Sequence, residues 1–313
     1  MIPGVSPIGM LNEISNFTPT KNLTCDSKKS KHMTVDITSA ASNLVQNSSG
    51  IWVARDQRDI SYPLEGNEVC FSVEDSSFWF QHRNEVIPQL VQTFSPCSTF
   101  FDIGGGNGCI SHALQQRGVD TVLVEPGPAG AYNGLSRGLK TVVQSTLQDA
   151  GFTSNSLPSA GIFDVLEHID SDQDFLKSLH HFLEPEGILY ITVPAYRFLW
   201  SREDDYSGHF RRYTISLLEK DLNSAGFEVL FSSYLFACLV PPIFLFRTLP
   251  SLMRIRKVPT AVSKQKEHKG GNRLSAKFIK RCLHWEQSRI KKLKRVPFGS
   301  SCIAVARKLP RDA

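Results

Sequence analysis

The sequence predicts a doubly wound α/β domain, and three observations carry that prediction. Short β-rich runs alternate with amphipathic stretches from Thr99 to Phe231, a glycine-rich turn follows the first run, and an acidic residue closes the second. The runs are 100–103, 121–124, 141–143, 162–165, 188–193 and 227–231, with a last β-like run at 301–306.

Taken in order, residues 1–59 read as a flexible N-terminal arm. They are rich in Ser, Thr, Asn and Lys, and up to about residue 50 they carry neither a helical nor a strand period. Tyr62, Phe71, Phe78, Trp79 and Phe80 then cluster, and Val86, Ile87, Leu90, Val91 and Phe94 recur at helical spacing up to Pro96, a helix leading into a core. Between the later runs, Phe175, Leu176, Leu179, Phe182 and Leu183 keep one apolar face, with Asp170, Asp172 and Asp174 where a helix N-terminus favours negative charge. Another helix is expected over 214–226, with Thr214 as N-cap and Gly226 as its stop. Residues 232–300 break the rhythm and read as an insertion before the last strand, and 309–313 as a tail.

With 313 residues, 41% of them hydrophobic and 21% charged, the chain can bury a sizeable core, which excludes wholesale disorder, collagen and coiled coil. The seven cysteines show no CxxC spacing, so a reducing compartment is expected, and no metal. No secretory signal is legible, and the expected location is the cytoplasm. Charge is divided unevenly. Residues 247–308 hold 18 Lys and Arg against Glu267 and Glu286 alone, whereas 1–246 hold 16 basic and 27 acidic side chains.

The chemistry is densest at 101–108, Phe-Asp-Ile-Gly-Gly-Gly-Asn-Gly, between a strand and a helix. Glycines there let backbone N–H groups approach a ligand, and the helix start favours an anionic group. Glu125, 21 residues after Gly104, stands at a strand tip where a carboxylate can take two ribose hydroxyls. The glycine spacing is D-x-G-x-G-x-G rather than G-x-G-x-x-G, since Cys109 and Ile110 occupy the places where a dinucleotide fingerprint wants small residues. That spacing favours S-adenosylmethionine over NAD.

On these residues the chain resembles the class I S-adenosylmethionine-dependent methyltransferases, with Asp102, Gly104, Gly106 and Gly108 in their first motif. The resemblance spans about residues 60–308. It takes in 147–152, where Asp149 and Ala150 would lie near the adenine, the stretch 163–169 with Asp164, the Leu-Glu-Pro-Glu-Gly run at 183–187, and segments 77–84 and 208–213. These are similar to a bacterial group labelled type 11 or type 12. The resemblance implies a Rossmann-like seven-stranded sheet, mostly parallel with the last strand antiparallel and helices on both faces. It also implies S-adenosylmethionine as cofactor and S-adenosylhomocysteine as product. One departure is that Pro158 and Ser159 stand where many relatives carry an acidic residue before the fourth strand.

Methyl transfer from a sulfonium needs alignment first, and a base only if the acceptor must lose a proton. His168, beside Glu167 after the fourth strand, and His209, after the fifth, are the two histidine candidates, with Glu167 as their catalytic neighbour. The aromatic and charged loop 194–206 reads as the acceptor wall, with Tyr196, Trp200, Asp204, Arg211, Arg212 and Tyr213 as substrate-binding candidates. Arg211 and Arg212 could clamp an anionic acceptor, or one of them could hold Asp204 or Asp205 and order the lid. From the N-terminal helix, Phe78, Trp79, His82 and Arg83 could cap the cofactor pocket, with core packing the expected job of Phe78 and Trp79.

The basic segment admits a solvated face, peripheral attachment to an anionic membrane through 234–295, or nucleic-acid binding. Residues 234–246 are almost wholly apolar but too short to cross a bilayer, and read as a Pro-broken hairpin. Peripheral attachment would place the chain on the inner membrane face. Nucleic acid is disfavoured because the fourth strand ends in Phe-Asp-Val-Leu-Glu, without the Asn/Asp-Pro-Pro-aromatic run of base-amino methyltransferases. The expected activity is therefore methylation of oxygen or carbon on a small-molecule or lipid-linked acceptor. The rivals are a nucleotide-dependent oxidoreductase and a non-catalytic binding module at a membrane surface.

Overall fold

The computed structural model describes residues 36–56, 71, 74–95, 98–253 and 273–309. Most of the expected arm (1–35 and 57–59), Tyr62, residues 254–272 and most of the tail lie outside the described residues.

Five strands are parallel neighbours: β3 (Phe100–Ile103), β4 (Thr121–Val124), β5 (Thr141–Gln144), β6 (Leu157–Phe163) and β7 (Leu183–Pro194). β9 (Ser301–Lys308) runs antiparallel between β7 and β8 (Phe227–Leu235), as the expected last strand should. Among the described residues the sheet nevertheless has nine strands rather than seven, in the order β1-β2-β5-β4-β3-β6-β7-β9-β8. The added pair is β1 (Leu44–Gln46) and β2 (Trp52–Ala54), drawn from the expected arm, with β2 parallel to β5. Each has only three residues, too few to show a period, which is why the sequence hides them.

β6 begins five residues earlier than expected and ends at Phe163. Its first half, Leu-Pro-Ser-Ala-Gly, has little strand propensity. It is a strand because it fills the slot between β3 and β7. A Cβ on Gly161 would lie 2.5–2.6 Å from the rings of Phe163 and Phe100. Val165 has left the strand with αR backbone angles and opens a 3-10 turn over Leu166–His168.

Helices cover both faces because strand side chains alternate. One core packs Phe101, Ile103, Leu189 and Ile191 against Phe175, Leu176 and Leu179 of α5 (Asp172–Phe182) and Leu218 and Leu222 of α7 (Ile215–Ser224). The other packs Phe100, Tyr190 and Ile303 against Val86, Ile87 and Leu90 of α2 (Phe78–Phe94) and Leu114 of α3 (Cys109–Gln115). The short α1 (Ile37–Ala40) precedes β1, and α4 (Pro128–Ser136) joins β4 to β5. Thr214 caps α7 by accepting from the Leu217 N–H at 3.2 Å, and Gly226 follows it at φ +93°, both as expected.

Residues 234–246, expected as a Pro-broken hairpin, are instead the end of β8 followed by helical turns. Pro241 and Pro242 lie in the first turn of α8 (Val240–Ile243), where no intrahelical N–H is lost. A π-turn over Phe244–Thr248 leads into α9 (Leu249–Leu252). The long α10 (Arg273–Lys291) buries Leu283 and Ile290, but Phe278, expected on its apolar stripe, faces outward at 62% exposure. Glu286 anchors α10. It is fully buried, accepts the N–H groups of Phe236 at 2.8 Å and Ala237 at 2.6 Å, and lies 3.2 Å from His82 Nε2. His82 thereby serves the junction of α2 with α10.

Candidate functional site

The crevice lies at the carboxyl ends of β3 and β6, adjacent parallel strands from which the chain departs in opposite directions, the place where ligands bind open α/β sheets. The two loops touch there: a Cβ on Gly104 would lie 2.8 Å from the Val165 side chain.

On the β3 side, Gly104, Gly106 and Gly108 all take positive φ, +66°, +56° and +71°, which folds the bend tightly before α3. The Gly106 N–H donates to Glu125 Oε2 at 2.8 Å, and the Gly127 N–H to Oε1 at 2.8 Å. Two backbone donors thus fix the carboxylate at the tip of β4 beside the bend. Asp102 supports the bend from below. It is 1% exposed and accepts from the Ser111 N–H at 3.2 Å and hydroxyl at 2.7 Å, and burial pushes its carboxyl up to about 6 against those bonds.

Sequence reading missed a second support. Asn107, 2% exposed, donates to Glu74 at 2.9 Å and accepts from Asn133 at 2.9 Å, while Arg137 meets Glu74 at 2.6 Å. Neither Glu74 nor Arg137 has a sequence signature, because only the fold brings α4 to the residues before α2.

At the end of β5, Asp149 is half-buried, and its carbonyl accepts from the Asn43 side chain at 2.7 Å. Ala150, expected near the adenine, has its side chain in the core, its N–H donating to the Thr146 carbonyl at 3.2 Å and its carbonyl accepting from the Asn43 N–H at 3.3 Å.

On the β6 side, Asp164 has φ +57°, a strained value for a non-glycine residue. Its Oδ1 accepts from Thr192 at 3.2 Å, and its Oδ2 lies 3.1 Å from Arg83, whose guanidinium stacks 4.3 Å over Trp79. Arg83 therefore reaches the crevice from α2. Glu167 is 1% exposed, and its Oε2 has no hydrogen-bond partner among the described residues. Burial, and then the charge of Asp164, push its carboxyl well above the usual range, against Arg83 and Arg212.

The loop between β7 and α7 leaves and returns at one point, with Tyr196 N–H to Tyr213 O at 2.8 Å and Tyr213 N–H to Pro194 O at 2.9 Å. It contains α6 (Arg202–Ser207) and delivers His209 onto His168, the rings edge to face at 4.7 Å. His209 Nδ1 meets Asp204 Oδ1 at 2.9 Å. Burial and the neighbouring His209 depress the His168 imidazole to about 4, despite a hydrogen bond to the Ser207 backbone.

Several acceptor candidates turn out to be framework. Asp204 is 1% exposed and saturated by His209, the Ser201 N–H at 2.9 Å and a bidentate Arg212, Nε at 2.7 Å and Nη2 at 3.0 Å. Against the penalty of burial, these bonds hold its carboxyl down at about 2. Arg212 also donates to Ala195 O at 3.0 Å, so of the two expected roles it has the one that orders the loop. Arg211 is spent on Asp172 at 2.5 Å and on the Asp170 carbonyl at 2.6 Å, and the buried Tyr213 hydroxyl donates to Asp172 at 3.0 Å. Tyr196 and Trp200 remain at the loop surface. Tyr196 stacks between Phe198 at 5.2 Å and Tyr234 at 5.0 Å, and Trp200 Nε1 donates to Asp205 at 2.8 Å.

A methyltransferase-domain family model matches residues 79–231, the span that holds the bend, the strand-tip carboxylate and the histidine loop. No curated protein matches the sequence. Among solved structures, the chain is similar to a Haloferax volcanii methyltransferase in complex with the Trm112 methyltransferase activator, at 14% identity over 80% of this chain and 96% of that one, TM-score 0.52. It is also similar to S-adenosylmethionine-dependent methyltransferases of Thermotoga maritima (16% identity, 78% of this chain and 95% of that one, TM-score 0.47) and Archaeoglobus fulgidus (18%, 74% and 100%, 0.45). At 14% identity the first of these is a likeness of fold alone. Residues 79–231 are thus a methyltransferase domain and contain this crevice, with S-adenosylmethionine as the methyl donor.

Proposed function

We propose that the chain methylates a nucleophilic oxygen or carbon of a small-molecule or lipid-linked acceptor, activated at Glu167, His168 and His209. The observation that carries this reading is the Asp204–His209 pair. A buried carboxylate fixes Nδ1 at 2.9 Å and directs the rest of the ring at His168, above the strand next to the glycine bend. Such an arrangement sets tautomer and orientation for proton removal.

The residues present fit the cofactor. Gly104, Gly106 and Gly108 shape a bend that a backbone-hugging nucleoside can approach, and Glu125 stands beside Gly106 as an acceptor for ribose hydroxyls. The cofactor supplies a methyl group activated by positive sulfur. Arg83 and Thr192 hold Asp164 at the floor of the crevice, His209 takes the acceptor's proton, and the 195–213 loop excludes water.

A lipid-linked acceptor is favoured by one surface. Leu245, Phe246, Leu252 and Met253 of the α8–α9 segment are 52–71% exposed, and the Phe244 ring meets Phe198 of the acceptor loop at 6.3 Å. Two hydrogen bonds tie the segment to that loop, Thr248 to Leu199 O at 3.0 Å and the Arg202 N–H to Ser251 at 3.3 Å. Apolar exposure joined to the acceptor wall, in a stretch with 18 basic and two acidic side chains, suits an anionic bilayer. Among the described residues no helix is long and apolar enough to cross a membrane.

The test presents the protein and S-adenosylmethionine with separate lipid and water-soluble metabolite extracts. Formation of S-adenosylhomocysteine, together with a lipid species that gains one CH₂ unit, is the expected result. Turnover with the water-soluble fraction alone removes the lipid reading, and turnover with neither removes the catalytic one.

A further inference from the structure

We propose that Glu167, His168 and His209 are a three-ligand site for a divalent transition ion with Zn²⁺-like preferences, in place of the absence of metal that the sequence leads one to expect. Each residue offers one ligand atom, and the three atoms lie within 4.8 Å of one another. Two ligands on one Zn²⁺ at about 2.0–2.1 Å stand at most about 4.2 Å apart. A small inward movement of the loop carrying His209 therefore completes the site.

Two features separate this trio from a chance cluster. Both histidines have an outer partner, as metal-binding imidazoles do: His209 Nδ1 is held by Asp204, itself clamped by Arg212, and His168 by the Ser207 backbone. The second feature is Glu167 Oε2, buried and without a hydrogen-bond partner among the described residues. A protein does not bury a carboxylate oxygen cheaply unless something compensates it.

Two imidazoles and one carboxylate suit Zn²⁺, Fe²⁺ or Co²⁺ rather than the all-oxygen shells of Mg²⁺ and Ca²⁺. Three protein ligands leave a position open. The inference deepens the methyl-transfer reading and rests on it for its chemistry: the open position takes a hydroxyl oxygen of the acceptor. With the ion bound, His209 would be a ligand in place of its role as proton acceptor; the ion would lower that hydroxyl's pKa, and the proton would pass to solvent. The oxygen then forms its bond to the methyl carbon as the carbon–sulfur bond breaks, and sulfur keeps the electron pair.

The test does not depend on activity. The full chain is stripped with chelator, dialysed and titrated with Co²⁺ and Zn²⁺ by visible absorption and calorimetry. One equivalent is expected, with ligand-field bands but no thiolate charge transfer. Glu167→Gln and His209→Ala should each weaken binding at least tenfold while leaving S-adenosylhomocysteine affinity unchanged, the check that the variants are folded. Cys238→Ser/Cys282→Ser should bind as the parent does. Absence of a stoichiometric ion, or binding lost with the cysteines and kept in the Glu167 and His209 variants, overturns the site and leaves His209 as the proton acceptor of an intact methyltransferase. An ion bound by all three residues in a protein that methylates nothing upholds the site and removes the methyl-transfer reading instead.

Discussion

The glycine bend and the histidine loop border the same crevice, yet they are built in opposite ways. The bend is local: Gly104 to Gly108 set its shape through their own backbone angles, and Glu125 is fixed by main-chain donors at the next strand. The histidine loop is a closed excursion whose geometry comes from side chains far apart in sequence, with Arg212 on Asp204, Asp204 on His209 and His209 on His168. A site made of backbone tolerates change around it, whereas a site made of a side-chain relay fails as a unit. Cofactor recognition should therefore be separable from acceptor activation by mutation.

The largest expected effect breaks the relay. His209→Ala should cost about 10²–10⁴ in kcat with S-adenosylhomocysteine affinity unchanged, measured by turnover and calorimetry on the same preparation. A parallel loss of cofactor affinity would mean that the two regions are not independent. Next, Asp204→Ala leaves Arg212 and His209 without their buried counter-charge and should destabilise the fold by about 3–5 kcal/mol, read from urea unfolding. A loss near zero would place Asp204 outside the framework.

On the other side of the crevice, Glu125→Ala should weaken S-adenosylmethionine by about 1.5–3 kcal/mol per lost charged hydrogen bond and leave the kcat of saturated enzyme near the parent's. An unaltered dissociation constant removes the ribose role. The smallest effect sharpens the contrast through pH. Burial lowers His168 from 6.5 to about 4, so the unfolded chain binds its proton first and stability falls as pH drops across that window. Burial raises Asp102 from 3.8 to about 6, so its folded state holds the proton longer and stability falls as pH rises across that window. Relative to the parent, His168→Gln should gain stability on acidification from pH 6.5 to 4, and Asp102→Asn on alkalinisation from 3.8 to 6. Urea midpoints at four pH values decide whether the signs are opposite.

The legibility of the molecule follows the same division. Seven strands, the bend and Glu125 could be read because each is encoded within a few contiguous residues. β1 and β2 could not, since three-residue strands exist only by pairing with β5, nor could the first half of β6, whose Pro-Ser-Ala-Gly text resembles a loop. Ala150 fits a family pattern and lies in the core, its carbonyl accepting from Asn43 in a segment whose sequence reads as a loose arm. Arg211, Arg212, Asp204 and Tyr213 have the residue types of an anion clamp, and composition alone does not distinguish charges aimed at a ligand from charges aimed at one another. The same ambiguity hid Glu74, Arg137 and Glu286, each an acid or base whose partner lies tens of residues away.

The sequence by itself determined the class of sheet, the glycine bend with its strand-tip acid, and the polarity of charge along the chain, because these follow from backbone propensity and composition. Only the tertiary structure decided which of the charged loop residues are framework, that α10 is anchored by the buried Glu286, and that Glu167, His168 and His209 converge. Those outcomes depend on burial and on which long-range partner arrives, and neither is a property of any contiguous stretch of residues.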